Sequence, residues 1–172
     1  METTGRGRLA VGERLPAVSL APVAGRPVEL RRTAHESSVL VFVHPDCDDC
    51  RAYVERLEGW ADRLAAWGGR VLVVAADHSQ ARSLAPAVDS TVLCDADGHA
   101  RGGAGLSPRG AAVVVSDKFG IVYRVELAGA HHEFLDPGEL LEEIRYMGSQ
   151  CPECGVPDDP LSGEEAWHRG GE

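Results

Sequence analysis

The chain of 172 residues contains a single lysine, Lys118; its other basic side chains are arginines. Aromatic residues are also few, at 5%. Acidic residues outnumber basic ones 27 to 17, for a net charge of −10 and a pI near 5.1. Such a balance argues against binding nucleic acid or an anionic membrane, and the acidic residues read as a solvated surface. No apolar run approaches the roughly 20 residues of a membrane span. Residues 1–8 are polar and rich in Gly and Arg, without the apolar centre of a secretory signal, which predicts a cytoplasmic protein. Cysteine is sparse as well. There are five, and four of them form two CxxC spacings, Cys47/Cys50 and Cys151/Cys154. That pattern suits redox or metal chemistry in a reducing compartment better than a disulfide framework.

What is present is organised around Val39-Leu40-Val41-Phe42-Val43-His44-Pro45-Asp46-Cys47-Asp48-Asp49-Cys50. Val39 to Val43 reads as a strand buried on both faces. Pro45 stops it, because proline has no N–H and disfavours helix in the residue before it. The segment from Arg51 to Trp67 then reads as one amphipathic helix, with Val54, Leu57, Ala61 and Leu64 on its apolar face. Tyr53 and Trp60 flank that face, and Trp67 belongs to the same packing surface. Cys47 falls at the helix start, where first-turn N–H groups and the helix dipole favour a thiolate. Cys50 lies three residues on, on the same face and within disulfide reach.

Before this stretch, Gly12 to Leu20 and Pro27 to Leu30 read as strands about a turn at Ala24–Pro27. After it, Gly68-Gly69 ends the helix. Arg70 to Ala75 reads as a second buried strand, Ser79 to Leu84 as a short helix, and Thr91 to Cys94 as a brief strand. Gly102 to Gly105 weakens any helix there. Ala111 to Ser116 and Ile121 to Glu126 flank Asp117-Lys118-Phe119-Gly120 as an antiparallel hairpin. Asp136-Pro137-Gly138-Glu139 opens the last helix, with Asp as N-cap and Pro in the first turn. The division expected is a disordered N-terminus over 1–10, one domain over 11–147, and an irregular acidic tail over 148–172 that carries Cys151-Pro152-Glu153-Cys154-Gly155. The expected class is α/β, a mixed sheet with helices on both faces and an N-terminal β-hairpin extension.

These elements resemble the thioredoxin-like redoxins, the branch containing peroxiredoxins and TlpA-type thiol–disulfide oxidoreductases. The resemblance runs from about Gly12 to Met147. It is carried by Gly12-Glu13-Arg14-Leu15-Pro16 with Gly25-Arg26-Pro27-Val28-Glu29-Leu30, by Phe42 to Cys50, by Leu93-Cys94-Asp95-Ala96-Asp97-Gly98, and by Pro108-Arg109-Gly110 with Val113 to Val122. It implies a thioredoxin-like fold and a redox-active dithiol. The chain departs from the family pattern in three places. Asp46 stands where an aromatic residue often precedes the first cysteine. Val41 stands where thioredoxins bury an acid. The place of the family's cis-proline falls near Gly110 or Ala111, with Pro108 the nearest proline. The peroxiredoxin pattern of a lone cysteine after Pro and Thr or Ser does not fit after Pro45. Arg109 matches the arginine that peroxiredoxins keep near the reactive sulfur, or is a surface charge.

The function expected is a thiol–disulfide oxidoreductase that reduces protein disulfides, with Cys47 attacking and Cys50 resolving. Asp46, Asp48 and Asp49 disfavour thiolate and point to a low-potential couple. The alternatives are a peroxiredoxin-like thiol peroxidase and a non-catalytic metal- or partner-binding module. The partners implied are a protein disulfide or an upstream dithiol reductant; the oligomeric state stays open, and no organic cofactor is expected. Cys151 and Cys154 are read as a zinc knuckle, a second redox pair, or an inert turn. A zinc site there needs two more ligands, from His131, His132, His168, Cys47/Cys50 or a second chain. His44 reads first as a solvent-facing residue at a strand end and second as a proton relay. His131 and His132 read as exposed loop residues. Cys94 reads as a small buried hydrophobe, and Trp167 as a docking residue.

Overall fold

The strand that leads into Cys47 is the centre of the molecule. In the computed structural model, which describes residues 9–31, 36–128 and 132–150, it is β3 (Ser37–Phe42), with every residue buried. It pairs in parallel with β4 (Gly69–Ala75) and antiparallel with β6 (Ala112–Ser116). β1 (Ser19–Pro22), β2 (Val28–Glu29), β5 (Thr91–Cys94) and β7 (Val122–Leu127) complete a seven-stranded mixed sheet in the order β2-β1-β5-β4-β3-β6-β7. β4 and β5 run parallel, while β1/β2, β1/β5 and β6/β7 are antiparallel.

Alternation along β3 divides the core in two. Val39, Val41 and Val43 face one cluster with residues of α1 (Asp48–Glu58), α2 (Ala61–Ala65), α3 (His78–Leu84) and α5 (Pro137–Ser149). Leu40 and Phe42 face the other, closed by α4 (His99–Gly103) and by Leu9, Leu15, Leu20 and Leu30 from the N-terminal segment. Helices therefore cover both faces, but unequally. Among the described residues, no helix is long and apolar enough to cross a membrane.

Several sequence expectations need correcting. The single helix from Arg51 to Trp67 is two: α1 ends at Glu58, and Trp60 is the N-cap of α2. Gly59 and Trp60 are poorer helix residues than those around them, and the break lets α2 turn onto β4 and α5. Trp67 is 42% exposed, with the Arg145 guanidinium above its ring, so it contributes less to packing than its spacing suggests. The Gly12 to Leu20 strand shrinks to Ser19–Pro22 plus one bridge between Arg14 and Ile121. A short helix, α4, forms despite its glycines. Leu9 is already buried, and its N–H donates to the Ala104 carbonyl (3.2 Å). α5 reaches Ser149. Cys151, Cys154, His131, Trp167 and His168 lie outside the described residues, as do residues 1–8.

Two glycines are required by close approach. A Cβ on Gly69 would lie 2.7 Å from Ile144 Cγ2, where β4 passes under α5. Gly120, at φ 76° in the β6–β7 turn, would bring a Cβ 2.8 Å from the Arg31 carbonyl.

Candidate active site

The sheet ends its parallel strands at one edge, and Val43-His44-Pro45 leaves β3 there. Three polar clamps hold that edge. Arg101, 1% exposed, donates through Nη2 to the carbonyls of Val43 (2.8 Å) and Val74 (2.9 Å). Its Nη1 donates to the Ala75 carbonyl and to Asp95 Oδ2, both at 3.3 Å. Asp95 in turn accepts the N–H groups of Ala100 (2.9 Å) and Arg101 (3.0 Å). The Gln80 side chain then ties the two strand ends from α3: its amide donates to the His44 carbonyl, and its oxygen accepts the Ala76 N–H (2.7 Å). No local pattern announces these roles for Arg101, Asp95 and Gln80. An isolated charged residue beside glycines reads as surface, and only the fold brings the free carbonyls to it.

After Pro45 the chain turns sharply at Asp46, with φ 51° in the left-handed region. An aspartate tolerates that conformation better than an aromatic residue does. Cys47 is then the N-cap of α1 in extended conformation, and its sulfur accepts the Cys50 N–H at 3.3 Å. A thiol thus fills the place usually held by Ser, Thr, Asp or Asn. Cys47 is partly exposed and Cys50 is buried. The pair approaches to 3.2 Å. Both are free thiols, as is Cys94, which is buried as expected.

Cys50 Sγ also accepts the His44 N–H (3.4 Å) and lies 3.8 Å from His44 Nδ1. Burial pushes the Cys50 thiol up to about 12; the Cys47 thiol and Asp49 add to the rise, and the His44 N–H opposes it. His44 is therefore not the solvent-facing residue expected. Burial first, then His132, Arg101 and Arg109, hold its imidazole below the usual 6.5, so it is neutral at neutral pH.

His132 is the larger correction. Expected as an exposed loop residue, it is 19% exposed at the side chain and sits 2.6 Å from His44 (Nε2 to Nδ1). The two rings meet edge to face. Its Nδ1 faces Asp49 Oδ2 at 3.7 Å. Phe134, two residues on, stacks on Tyr53 of α1 with ring centroids 4.3 Å apart, which anchors this segment against the helix. The contact spans 88 positions of sequence, so no local pattern announces it.

Cys47 opens onto a groove of about 540 Å³, lined also by Asp46, Asp48, Asp49, Arg109 and His132. Arg109 is exposed at its rim, a position that fits both readings of it, a charge near the first sulfur and a surface charge. A groove open on one side, with a reachable sulfur above a buried one, suits attack by Cys47 on an extended partner.

No family model matches the sequence, and no curated protein matches it. Solved structures do match. AhpC of Mycobacterium bovis superposes with a TM-score of 0.70 at 16% identity, over 88% of this chain and 100% of that one. A peroxiredoxin-like protein from Aquifex aeolicus gives 0.68 at 21% identity, over 83% and 90%. The thioredoxin domain of a thiol-disulfide oxidoreductase from Bacteroides vulgatus gives 0.65 at 15% identity, over 80% and 97%. At such identities the shared property is architecture, and the fold of this chain is thioredoxin-like.

Proposed function

We propose that the protein is a thiol–disulfide oxidoreductase that reduces protein disulfides through Cys47 and Cys50. The observation that carries this reading is the pairing of a reachable sulfur at the tip of α1 with a buried sulfur directly beneath it. The Cys47 thiolate attacks one sulfur of a substrate disulfide, and the other substrate sulfur leaves as a thiolate. Cys50 loses its proton and attacks Cys47, closing the Cys47–Cys50 disulfide and releasing the second substrate thiolate. Two electrons pass to the substrate, and an upstream dithiol returns them. His44, close to Cys50 and neutral, is placed to take the Cys50 proton. A reducing cytoplasm is the compartment that suits this direction.

Insulin-disulfide reduction driven by dithiothreitol tests the reading. Turnover above the dithiothreitol background is expected, abolished in Cys47→Ser. Cys50→Ser is expected to accumulate the mixed disulfide, visible by mass spectrometry. Turnover that survives Cys47→Ser would refute the assignment. Arg109 at the rim of the same groove favours a second reading, in which a peroxide replaces the disulfide. Hydrogen peroxide consumption that exceeds insulin reduction and falls in Arg109→Ala would select it.

A further inference from the structure

We propose that the reduced dithiol is also a zinc site, completed by His44 and His132, and that the bound ion holds the thiols out of exchange. The proposal rests on the oxidoreductase reading only for the ion's effect on exchange; the binding itself follows from the four donors.

One ligand atom from each of His44, Cys47, Cys50 and His132 lies within 4.8 Å of all the others. They arrive from three places in the fold: the end of β3, the first turn of α1 and the segment before α5. Two sulfurs and two imidazole nitrogens are the donor set of tetrahedral zinc. Usual Zn–S and Zn–N bond lengths give a tetrahedron with edges of about 3.3–3.8 Å. The observed His44–His132 separation of 2.6 Å must open slightly, the Cys50–His44 separation of 3.8 Å already fits, and the longest edge must close by about an ångström.

The surroundings match the outer contacts of a metal centre. His132 presents Nε2 to the cluster and Nδ1 toward the Asp49 carboxylate at 3.7 Å; closing that gap to hydrogen-bond distance would give the carboxylate–histidine–metal arrangement that fixes an imidazole's tautomer and orientation. Both sulfurs accept backbone N–H groups, Cys47 from Cys50 and Cys50 from His44. Two thiolates balance the charge of a divalent ion, so loading releases the two thiol protons and adds no net charge to the acidic rim. Taking the Cys50 proton gives His44 a use in disulfide exchange, but that use does not call for a second imidazole on its ring nitrogen.

Zinc and the Cys47–Cys50 disulfide are mutually exclusive. When a disulfide RSSR oxidises the loaded site, the two thiolates give up two electrons and join. RSSR accepts both electrons and leaves as two thiolates, and Zn2+ departs with its charge unchanged. The ion would thus mask the dithiol until a sufficiently reactive disulfide arrives.

The tail pair Cys151/Cys154 has its own zinc spacing, so the test uses the full chain carrying Cys151→Ser and Cys154→Ser. After reduction and removal of metal, it is titrated with Co2+ and then Zn2+. One equivalent of Co2+ is expected, with the strong visible bands of tetrahedral coordination and thiolate charge transfer, bleached by one equivalent of Zn2+. His132→Ala is expected to weaken binding more than tenfold and shift the cobalt bands, and the disulfide-oxidised chain is expected to bind none. Failure to bind, or binding unchanged in both His44→Ala and His132→Ala, would overturn the site. Insulin reduction by the metal-free chain, run alongside, separates the two readings. Reduction without metal binding refutes this inference alone. Metal binding without any reduction leaves the site standing and refutes the oxidoreductase.

Discussion

At the scale of single residues, the site turns on the contrast between two sulfurs three positions apart. Cys50 is 1% exposed and its thiol is raised to about 12, burial being the main cause. A buried thiol that resists ionisation favours the disulfide, because the reduced form gains nothing from a stabilised thiolate. The couple should therefore lie nearer the potential of thioredoxin, about −270 mV, than that of DsbA, about −120 mV. Equilibration with glutathione, read by mass spectrometry on the tail-serine chain, checks this; a value above about −180 mV would contradict it. The same contrast predicts that iodoacetamide labels Cys47 first, leaving Cys50 and Cys94 unlabelled until the fold opens. Much of this was legible beforehand. Strand, Pro45 and helix start are local signals, so the placing of Cys47 at the helix start and of Cys50 on the same face within disulfide reach followed from spacing. The part of His132 was not, since its signal is a contact between distant segments, and adjacent histidines in a loop carry no periodicity. His44 was undervalued for the same reason: its surroundings come from His132 and Arg101, not from its neighbours in sequence.

At the scale of elements, the strand ends that carry the site are held by one buried ion pair. Arg101 and Asp95, each 1% exposed at the side chain, satisfy each other, three strand carbonyls and the start of α4. Removing one partner leaves the other charged and unpaired in the core, at a cost of about 3–5 kcal/mol. Arg101→Met should therefore lower Tm by about 6–20 °C for a domain of this size. Arg124, whose side chain is 36% exposed and which pairs with Glu143 at 2.6 Å, gives the contrast. Its loss in Arg124→Ala should cost no more than about 1 kcal/mol. Thermal melts of the two variants side by side decide the matter; equal shifts would mean that the buried pair is not what fastens β3 to β4. The elements themselves were readable where a period and a stop signal coincided. Thr91–Cys94 and the Asp136 cap appear as read, the cap accepting the Gly138 N–H at 2.8 Å. The break at Gly59 was missed because apolar spacing continues across it: Leu57, Trp60 and Leu64 all pack inward although the helix does not run through.

At the scale of the whole molecule, the order of elements and the direction of most strand pairings followed from connection lengths alone. The short Asp117–Gly120 link permits only an antiparallel pair, and the helix-bearing links permit parallel ones. The unequal covering of the sheet could not be read that way, because both faces of β3 and β4 are apolar and either could have taken the larger set of helices. That covering sets how the molecule responds to alkali. It buries three groups that ionise only at high pH. Burial raises Cys50 to about 12, raises Cys94 from 9.0 and raises Tyr53 above 10.0. In each case the folded pKa exceeds the unfolded one, so the folded state holds more protons than the unfolded chain in that range. Their contribution is intact below pH 9 and is lost as pH rises through the folded values. Tm of the metal-free, reduced chain should thus fall between about pH 9 and pH 12, beyond any loss from the growing negative charge. Tyr53 isolates the effect. Its hydroxyl is buried with no hydrogen-bond partner among the described residues, while its ring stacks on Phe134. Tyr53→Phe keeps the stack and removes both the unsatisfied hydroxyl and its ionisation. It should be neutral or stabilising by up to about 1 kcal/mol near pH 7 and should flatten the fall in Tm above pH 10. A variant that melts lower than the parent at neutral pH, or follows the same alkaline curve, would show that the hydroxyl is solvated and that the helix-covered face is more open than its packing implies.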